Sequence, residues 1–567
     1  MIFSTIVAGI FLVRLFYLQI IEHNKYVSMA DAEQVKSLVI PATRGEIYAL
    51  DGTTPVKMVL NQTVYTVFVD PLEVKNADNV VSELKKVAGG NLVQDDIESL
   101  VKAKPRQYVV VARGLSRQQA EMLKNDQLAG VGFQKMTERV YPEGSLASQV
   151  LGFVNAEGKG QYGVEEKLND QLSGTDGLLR SVTDVANVPL TIGNDYVNKP
   201  AVNGQNIVLT IDRNIQSQSE QALADGVKRI GASKGSVIVM DPQTGKVLAM
   251  ANVPTYDPSK FQNVTDASAF SNATVSAPYE PASVMKSYSM AIGLDKGAID
   301  LNSTFNNTNS ISIDGVPTRN AENWPTGPTS MQKIMDWSLN TGTTTVFQRL
   351  GQDTSTIDKT ARTTVYDYLY NRFHLGQTTG IQLAGEAPGL IISPTEVEGN
   401  AVRYGDMSYG QGMDLTMVGV AAGFSSLVNG GNYYKPTVVA GNVDVNGNYH
   451  QAAQQAALNQ PIKASTSKDM RTLLATARQH VFPGHDTAGY EVGGKTGTAQ
   501  TIVDGKYVSN QTTASYIGYG GDSQARYVIM VQVSGPGQNL QGNIDAEPIF
   551  KDISNWMINY MELRPNS

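Results

Sequence analysis

A serine and a lysine three positions apart are the first residues in this sequence that could do chemistry together. Ser283 and Lys286 lie where we expect a helix to open and run to residue 294, with Pro281 before its first turn. A serine hydroxyl needs a base to attack a carbonyl, and a lysine amine can serve if burial or a neighbouring cation lowers its pKa. The start of a helix would also offer a free backbone N–H to a developing oxyanion.

Two further polar patterns follow this pair in the chain. An S-x-N pattern is formed by Ser338 and Asn340, and a K-T-G pattern begins at Lys495 in a strand framed by glycines and continues to Thr498. The S-x-x-K pattern alone is weak, because it arises by chance in many chains of this length. Three elements in this order are much less expected by chance, so we predict that they meet in one cleft.

The elements around these motifs indicate an α+β domain over residues 205–567. We predict a strand at 207–211, a helix at 214–230, a hairpin turning at 241–245, a strand at 527–533, and a closing helix with apolar residues from 549 to 561. This order is typical of a mainly antiparallel sheet with helices packed on it. Residues 22–200 read as a separate, smaller α+β module, including strands at 39–48 and 64–70.

The first 21 residues carry no charge apart from Arg14 and are mostly apolar, which favours a single membrane anchor with the rest of the chain on the far side. A buried N-terminal helix is the alternative. No small-residue cleavage site follows this run, so we do not predict a removed signal peptide. The natural span could also begin before the first residue given.

Composition excludes several other classes of function. The 567 residues include 53 Asp and Glu against 45 Lys and Arg, a formal net charge of −8, which argues against a dedicated nucleic-acid binder. There is no cysteine, so thiolate nucleophiles, disulfides and cysteine-based zinc sites are excluded. With five histidines in the chain, a multi-histidine metal site is not expected.

Two short patterns formally match other catalytic motifs in the wrong setting. Residues 489–496 fit the phosphate-loop pattern, but a strand-like segment follows where a helix is required. Residues 231–235 fit the G-x-S-x-G elbow, but they follow a helix and precede a strand, which is the reverse of that motif.

The combination S-x-x-K, S-x-N and K-T-G resembles the class B penicillin-binding proteins, which are monofunctional peptidoglycan D,D-transpeptidases. Residues 44–47 are similar to the family's R-G-x-I motif, although the usual continuation D-R-x-G is degraded to Ala-Leu-Asp-Gly at 49–52. Residues 373–376 and 379–386 look more like the septal, cell-division subgroup than the elongation subgroup. Other similar segments are residues 139–144, 147–153, 160–165, 209–212, 408–412 and 429–431.

The resemblance implies a transpeptidase fold related to serine β-lactamases, an elongated N-terminal pedestal of the dimerisation type, and a transmembrane helix. It also implies a role for each motif residue in a serine acyl-enzyme reaction. Ser283 would be the acylated nucleophile, Lys286 its general base, and Ser338 the relay that passes a proton to the leaving amine. Asn340 would contact Lys286 and the substrate amide, and Lys495 would supply positive charge. Thr496, Gly497 and Thr498 would bind the terminal carboxylate, and the N–H groups of Ser283 and Thr498 would form the oxyanion hole.

The implied ligands are stem peptides ending in D-Ala-D-Ala and the β-lactams that mimic them, with no metal or organic cofactor and no nucleic acid. The implied setting is a single-pass membrane protein with its catalytic domain outside the cytoplasm, working with a SEDS-type glycan polymerase and division proteins. Two alternatives stay open. One is a related serine acyl-enzyme, a β-lactamase or D,D-carboxypeptidase; the other is a non-catalytic scaffold in a wall-synthesis complex.

Overall fold

A computed structural model describes residues 2–26, 35–89, 93–106, 108–182, 198–503 and 506–566 of the chain. The strands in chain order are β1 (Val35–Ile40), β2 (Ile47–Asp51), β3 (Thr54–Val69), β4 (Val109–Leu115), β5 (Val131–Val140), β6 (Phe153–Val154), β7 (Gly160–Gln161), β8 (Gly177–Val182), β9 (Asn198–Lys199), β10 (Asn206–Asp212), β11 (Lys234–Met240), β12 (Val247–Val253), β13 (Thr304–Asn307), β14 (Ser310–Ile313), β15 (Val316–Arg319), β16 (Gly327–Ser330), β17 (Val439–Val443), β18 (Tyr449–Gln451), β19 (Glu491–Val503), β20 (Lys506–Gly521) and β21 (Ala525–Ser534).

The α-helices are α1 (Ile2–Phe16), α2 (Ala77–Ala88), α3 (Ile97–Val101), α4 (Arg117–Asn125), α5 (Ser148–Leu151), α6 (Gly163–Lys167), α7 (Asn169–Ser173), α8 (Arg213–Ile230), α9 (Ala273–Ser276), α10 (Lys286–Asp295), α11 (Met331–Asp336), α12 (Asn340–Gln348), α13 (Lys359–Tyr366), α14 (Ala401–Met407), α15 (Met417–Val428), α16 (Ala464–Val481) and α17 (Glu547–Tyr560). Short 3₁₀ turns lie at Pro258–Asn263, Ala267–Phe270 and Ala282–Met285, and π-helical turns at Tyr17–Ile21, Asp367–Arg372 and Gly542–Ala546.

The chain divides into two compact units, and the smaller one comprises Met1–Gly45 and Asp170–Gln205. Its three-stranded sheet has the order β1-β8-β9 with antiparallel pairing. Helix α1 precedes this sheet and leads directly into the π-helical turn Tyr17–Ile21. Within the described ranges, no helix combines the length and the apolar character needed to cross a bilayer, so the structure does not show the transmembrane helix expected over residues 1–21.

The larger unit comprises Glu46–Asn169 and Asn206–Ser567, and one of its sheets joins segments that are far apart in sequence. The strand order is β18-β17-β10-β2-β3-β4, with β5 also paired to β3. The strand expected at 39–48 is wrong in its extent, because β1 ends at Ile40 and β2 begins at Ile47. Pro41, which has no N–H to give to a sheet, opens the break between them.

A buried ion pair joins two of the segments that resemble pedestal motifs. Arg139 and Glu165 approach to 2.8 Å, with side chains 7% and 0% exposed. A second pair between Arg213 and Glu143, also at 2.8 Å, links the start of α8 to residues 139–144 and is part-exposed. The motif residues in the N-terminal part of this unit therefore hold neighbouring segments together.

The K-T-G motif is carried by a second sheet of five strands, all antiparallel, in the order β12-β11-β21-β20-β19. This confirms the predicted antiparallel sheet, the hairpin β11–β12 and the flanking helices α8 and α17. Successive side chains of a strand point to opposite faces. Every residue of β11 from Gly235 to Met240 is buried, so both faces of the sheet are covered. One face packs on α8 and α17, whose core residues include Leu223, Ile549 and Phe550.

Arg478 of α16 is a fully buried cation that ties three segments of this domain together. Its guanidinium lies 2.7 Å from Asp486 and 2.9 Å from Glu547, and it donates to the Tyr516 hydroxyl at 2.7 Å. The side chains of Arg478 and Glu547 are both 0% exposed. Removing one partner of a buried pair leaves the other charge without compensation.

We expect Arg478→Met to destabilise the fold by about 3–5 kcal/mol, because the buried Glu547 carboxylate would lose its ion pair with the guanidinium and retain the contact with His485 at 3.1 Å. The measurement is the shift in the midpoint of urea denaturation. Arg229→Met, at an exposed position of α8, is the matched control and should change stability by less than about 0.5 kcal/mol. Equal midpoints for the two variants would contradict the assigned role of the buried cation.

Candidate active site

Ser283 lies in a single 3₁₀ turn, Ala282–Met285, that runs directly into α10 at Lys286. The predicted helix is therefore confirmed, with a tighter first turn than expected. N–H groups at the start of such a turn have no partner within the helix. Ser283 is half-buried and lines a cavity of about 750 Å³, while Lys286 is fully buried behind it.

Residues 408–412, which resemble a family signature, contact the serine turn and the residues before it through hydrogen bonds. The Ala282 N–H donates to the Gly410 carbonyl at 2.9 Å, and the Gly412 N–H donates to the Glu280 carboxylate at 2.7 Å. Ala282 has φ = 52°, in the left-handed region that costs about 1–2 kcal/mol outside glycine. A side chain at Gly410 would overlap the Ala282 carbonyl, so glycine is needed for this close approach.

Strand β19 brings the K-T-G segment against the same turn. A Cβ at Gly497 would overlap the Ser515 hydroxyl and come within 3.0 Å of the Pro281 carbonyl. The glycine of the motif thus allows the strand to lie directly beside the serine turn. Lys495 is buried, Thr496 is half-buried, and Thr498 is exposed to the cavity, where its hydroxyl accepts a hydrogen bond from the Gly542 N–H at 3.1 Å.

The turn between α11 and α12 places Ser338 between the two lysines. Ser338 has φ = 53°, again left-handed. Lys286 Nζ donates to the Ser338 carbonyl at 2.5 Å and to Ser338 Oγ at 3.0 Å, and Lys495 Nζ donates to the same Oγ at 3.0 Å. A hydroxyl has two acceptor positions and one donor. With both acceptor positions occupied, the Ser338 O–H is left to donate to a third group.

Burial and mutual repulsion set the charges of the two lysines. Burial, reinforced by the positive charge of Lys495, holds the pKa of Lys286 well below its usual value. Burial lowers the pKa of Lys495 to about 7, and the Asp336 carboxylate opposes this shift. Two ammonium groups cannot both be charged in a site that water barely reaches. Lys286 is the one that becomes the neutral amine, because both burial and the Lys495 charge lower its pKa, whereas Asp336 supports the charged form of Lys495.

A neutral Lys286 amine has the bonding pattern of a base. It has two N–H donors, and Ser338 takes both of them, so the nitrogen lone pair stays free. Among the described residues, neither hydrogen bond goes to Ser283. The i, i+3 spacing still puts the Ser283 hydroxyl one helical turn away on the same face. The arrangement can therefore accept a proton from a serine that attacks an electrophile in the cavity.

The cavity brings together most of the residues that the sequence singled out. Ser283, Ser338, Asn340, Lys495, Thr496 and Thr498 line it, Lys286 lies beneath, and Gly497 forms the contact between strand and serine turn.

Asn340 departs from the expected contact with Lys286. Its side-chain NH₂ donates to the Arg319 carbonyl at 2.8 Å, and Ser338 takes the hydrogen bonds of the lysine instead. The position at the start of α12 still places Asn340 on the cavity wall, and its contact with a substrate amide stays a prediction.

Several cavity residues were not found from the sequence. Trp324 and Trp337 stack with ring centroids 4.9 Å apart and planes 4° from parallel, and Asp336, Arg478 and His480 also line the cavity. Asp336 and Trp337 directly precede Ser338, so their adjacency to the motif was a usable signal. Trp324, Arg478 and His480 come from separate segments and carry no such signal.

Comparison with known proteins gives a consistent family. Residues 235–555 match the penicillin binding protein transpeptidase domain, and residues 39–209 match the penicillin-binding protein dimerisation domain. A protein of Neisseria meningitidis named "Probable peptidoglycan D,D-transpeptidase PenA" is 28% identical over 97% of this chain and 90% of that protein. Stage V sporulation protein D of Bacillus subtilis is 29% identical over 98% of this chain and 84% of its own length.

Solved structures share the fold. A peptidoglycan synthetase from Bifidobacterium adolescentis superposes with a TM-score of 0.73 at 22% identity, covering 94% of this chain and 98% of that one. Penicillin binding protein 3 of Mycobacterium tuberculosis, in complex with aztreonam, gives a TM-score of 0.69 at 24% identity with the same coverage. With one family model covering more than half of the chain and a second covering the preceding segment, this chain belongs to the class B penicillin-binding proteins.

Proposed function

We propose that this chain is a peptidoglycan D,D-transpeptidase that works through an acyl-enzyme on Ser283. The observation that carries the proposal is the convergence of Lys286 and Lys495 on one serine oxygen, Ser338 Oγ, at the wall of the cavity that Ser283 lines. This convergence supports a neutral amine, a hydroxyl relay and a cation as the groups that would act on the Ser283 nucleophile in the cavity. The relatives named as D,D-transpeptidases supply the substrate class.

In the acylation step, the Ser283 oxygen attacks the carbonyl carbon of the penultimate D-alanine of a stem peptide. The Lys286 nitrogen takes the hydroxyl proton, and N–H groups at the start of the serine turn and on β19 stabilise the oxyanion. When the amide bond breaks, the Ser338 hydroxyl delivers a proton to the leaving D-alanine nitrogen and is reprotonated from Lys286. The terminal carboxylate is met by Lys495 and the hydroxyls of Thr496 and Thr498.

In the second step, an amine from a neighbouring stem attacks the Ser283 ester. A new amide bond forms as the ester bond to Ser283 breaks, a proton from the attacking amine returns through Lys286 to the serine oxygen, and the two stems are cross-linked. A β-lactam enters the same first step, because opening of its ring acylates Ser283 in place of the stem peptide. A cavity of about 750 Å³ can admit a peptide end of this size.

The cellular setting is the finer part of the proposal. The similarity of residues 373–376 and 379–386 to the septal subgroup supports a role in cell division. By the same resemblance, we propose a SEDS-type glycan polymerase and division proteins as partners. We also propose that the N-terminal segment attaches the chain to a membrane, with the catalytic domain outside the cytoplasm. The exposed apolar side chains of this segment support membrane attachment, since Ile10, Phe11 and Val13 are 64%, 65% and 70% exposed.

We expect a fluorescent penicillin to label the protein on a single residue, Ser283, and Ser283→Ala to abolish the label. Intact-mass and peptide mass spectrometry locate the adduct. Ser287→Ala, four residues along in α10, keeps the nucleophile and should keep the label. Labelling that persists in Ser283→Ala would remove the assigned nucleophile. Rapid hydrolysis of the drug by the wild type would favour a β-lactamase, and an unlabelled but folded wild type would favour the scaffold alternative.

We expect Lys286→Ala to lower the acylation rate constant by about 10²-fold or more, because the serine would lose the group that takes its proton. Stopped-flow or quenched labelling with the same penicillin measures the rate. Lys296→Ala, at the exposed end of the same helix, is the control and should acylate at the wild-type rate. A folded Lys286→Ala protein that acylates normally would show that another group is the base.

We expect the double variant Ile10→Asp, Phe11→Asp to release the full chain from the membrane fraction, because embedding two charged groups at these exposed apolar positions in lipid is costly. Fractionation of cells expressing the protein gives the readout, with detergent extraction as a reference. The control is Leu72→Asp, an exposed leucine outside α1, which should stay with the membrane. Unchanged membrane recovery of the double variant would contradict attachment through this helix.

A further inference from the structure

We propose that Asp336 is a positioning residue for this reaction, whose buried carboxylate supplies the negative charge that a cationic Lys495 needs in the inner part of the cavity. The inference rests on the proposed acyl-enzyme function. It concerns a residue outside the three motifs, at the last position of α11 and two residues before Ser338.

The Asp336 carboxylate is held in one orientation by donors from two helices. Its Oδ2 accepts from Lys333 Nζ at 2.9 Å and pairs with His480 Nδ1 at 2.8 Å, and its Oδ1 accepts from Gln332 Nε2 at 2.7 Å. The Asp336 side chain is 3% exposed, whereas those of Lys333 and His480 are 39% and 49% exposed. The carboxylate is therefore interior, and its partners extend towards solvent.

Among the described residues that line the cavity, Asp336 is the buried carboxylate that can balance the charge of Lys495. Lys286, on the serine side, has no carboxylate among its hydrogen-bond partners in the described chain and disfavours a second cation. Arg478, on α16, is paired with Asp486 and Glu547, so these two carboxylates already have a cationic partner. Glu322 lines the same cavity near its tryptophans, but it is exposed to solvent, which weakens its field at the buried lysine.

Losing this charge should affect the base and the substrate site together. Burial already lowers the pKa of Lys495 to about 7, and Asp336 opposes that shift. Without the carboxylate the neutral form of Lys495 is favoured further. A neutral Lys495 would no longer repel a proton from Lys286 and would not attract a substrate carboxylate. Asp336 thus acts on the reaction through Lys495 and touches none of the reacting atoms.

The test is the pH dependence of the second-order rate constant for acylation by a penicillin, which reports the ionisations of the free enzyme. For the wild type, we expect a bell-shaped plot of this rate constant against pH, whose decrease on the alkaline side (the alkaline limb) lies near the pKa of Lys495, about 7. Asp336→Asn keeps the shape of the side chain and removes its charge. We expect it to move the alkaline limb down by about one pH unit, which is a loss of about ten-fold in rate at pH 8.

Two further variants separate charge from structure. Asp336→Glu restores the carboxylate and should return the limb towards the wild-type position. Asp225→Asn removes the same charge from an exposed position on α8 and should leave the profile unchanged. A profile that only drops in height for Asp336→Asn, with its limb unmoved, would overturn the inference and make Asp336 a structural residue.

A second measurement does not depend on acylation. In a protein labelled with ¹³C at lysine Cε, the Lys495 signal is assigned from its loss in Lys495→Met and followed with pH. It should titrate at lower pH in Asp336→Asn than in the wild type, and equal titration curves would overturn the inference. A wild type that titrates as expected but is not acylated at any pH would instead contradict the proposed function.

Discussion

The site depends on two lysine ammonium groups that share one serine hydroxyl in a place where water cannot stabilise both charges. Lys286 and Lys495 each donate to Ser338 Oγ at 3.0 Å, and both are buried. Repulsion across one oxygen, added to the cost of burial, makes one of them give up its proton. A residue type that is ordinarily a cation at neutral pH thereby becomes a base, and its neighbour keeps the positive charge for an anionic substrate.

The rest of the domain holds Lys286 and Lys495 in place. Three elements must meet within a few ångströms: the serine turn, the Ser338 turn and strand β19. Gly410 and Gly497 permit contacts that any side chain would block. Ala282 and Ser338 adopt left-handed backbone conformations on either side of the lysines. Such strain persists where the surrounding structure over-determines it, and here the five-stranded sheet and its covering helices do so.

Around this centre lies a second layer in which charges compensate each other. The Asp336 carboxylate is hydrogen-bonded to Gln332, Lys333 and His480, and the buried Arg478 forms ion pairs with Asp486 and Glu547. Buried polar groups are tolerated when each has partners. This layer comes largely from α11, α16 and α17, so the helices that cover the sheet also set the electrostatic field on one wall of the cavity.

Local residue patterns are enough to predict the chemistry and the kinds of elements, because the three motifs, the antiparallel hairpin and strands, and the helices α8 and α17 each follow from a short stretch of sequence. They also place Ser283 at the start of a helix, because proline and turn-forming residues act over a few positions. Which side chains contact each other depends instead on how distant segments pack. That Asn340 bonds to the Arg319 carbonyl, that Ser338 takes both hydrogen bonds of Lys286, and that His480 reaches Asp336 depend on segments far apart in the chain. The shifted lysines have the same origin, since desolvation is a property of how completely distant segments pack around an amine, and no local spacing encodes it.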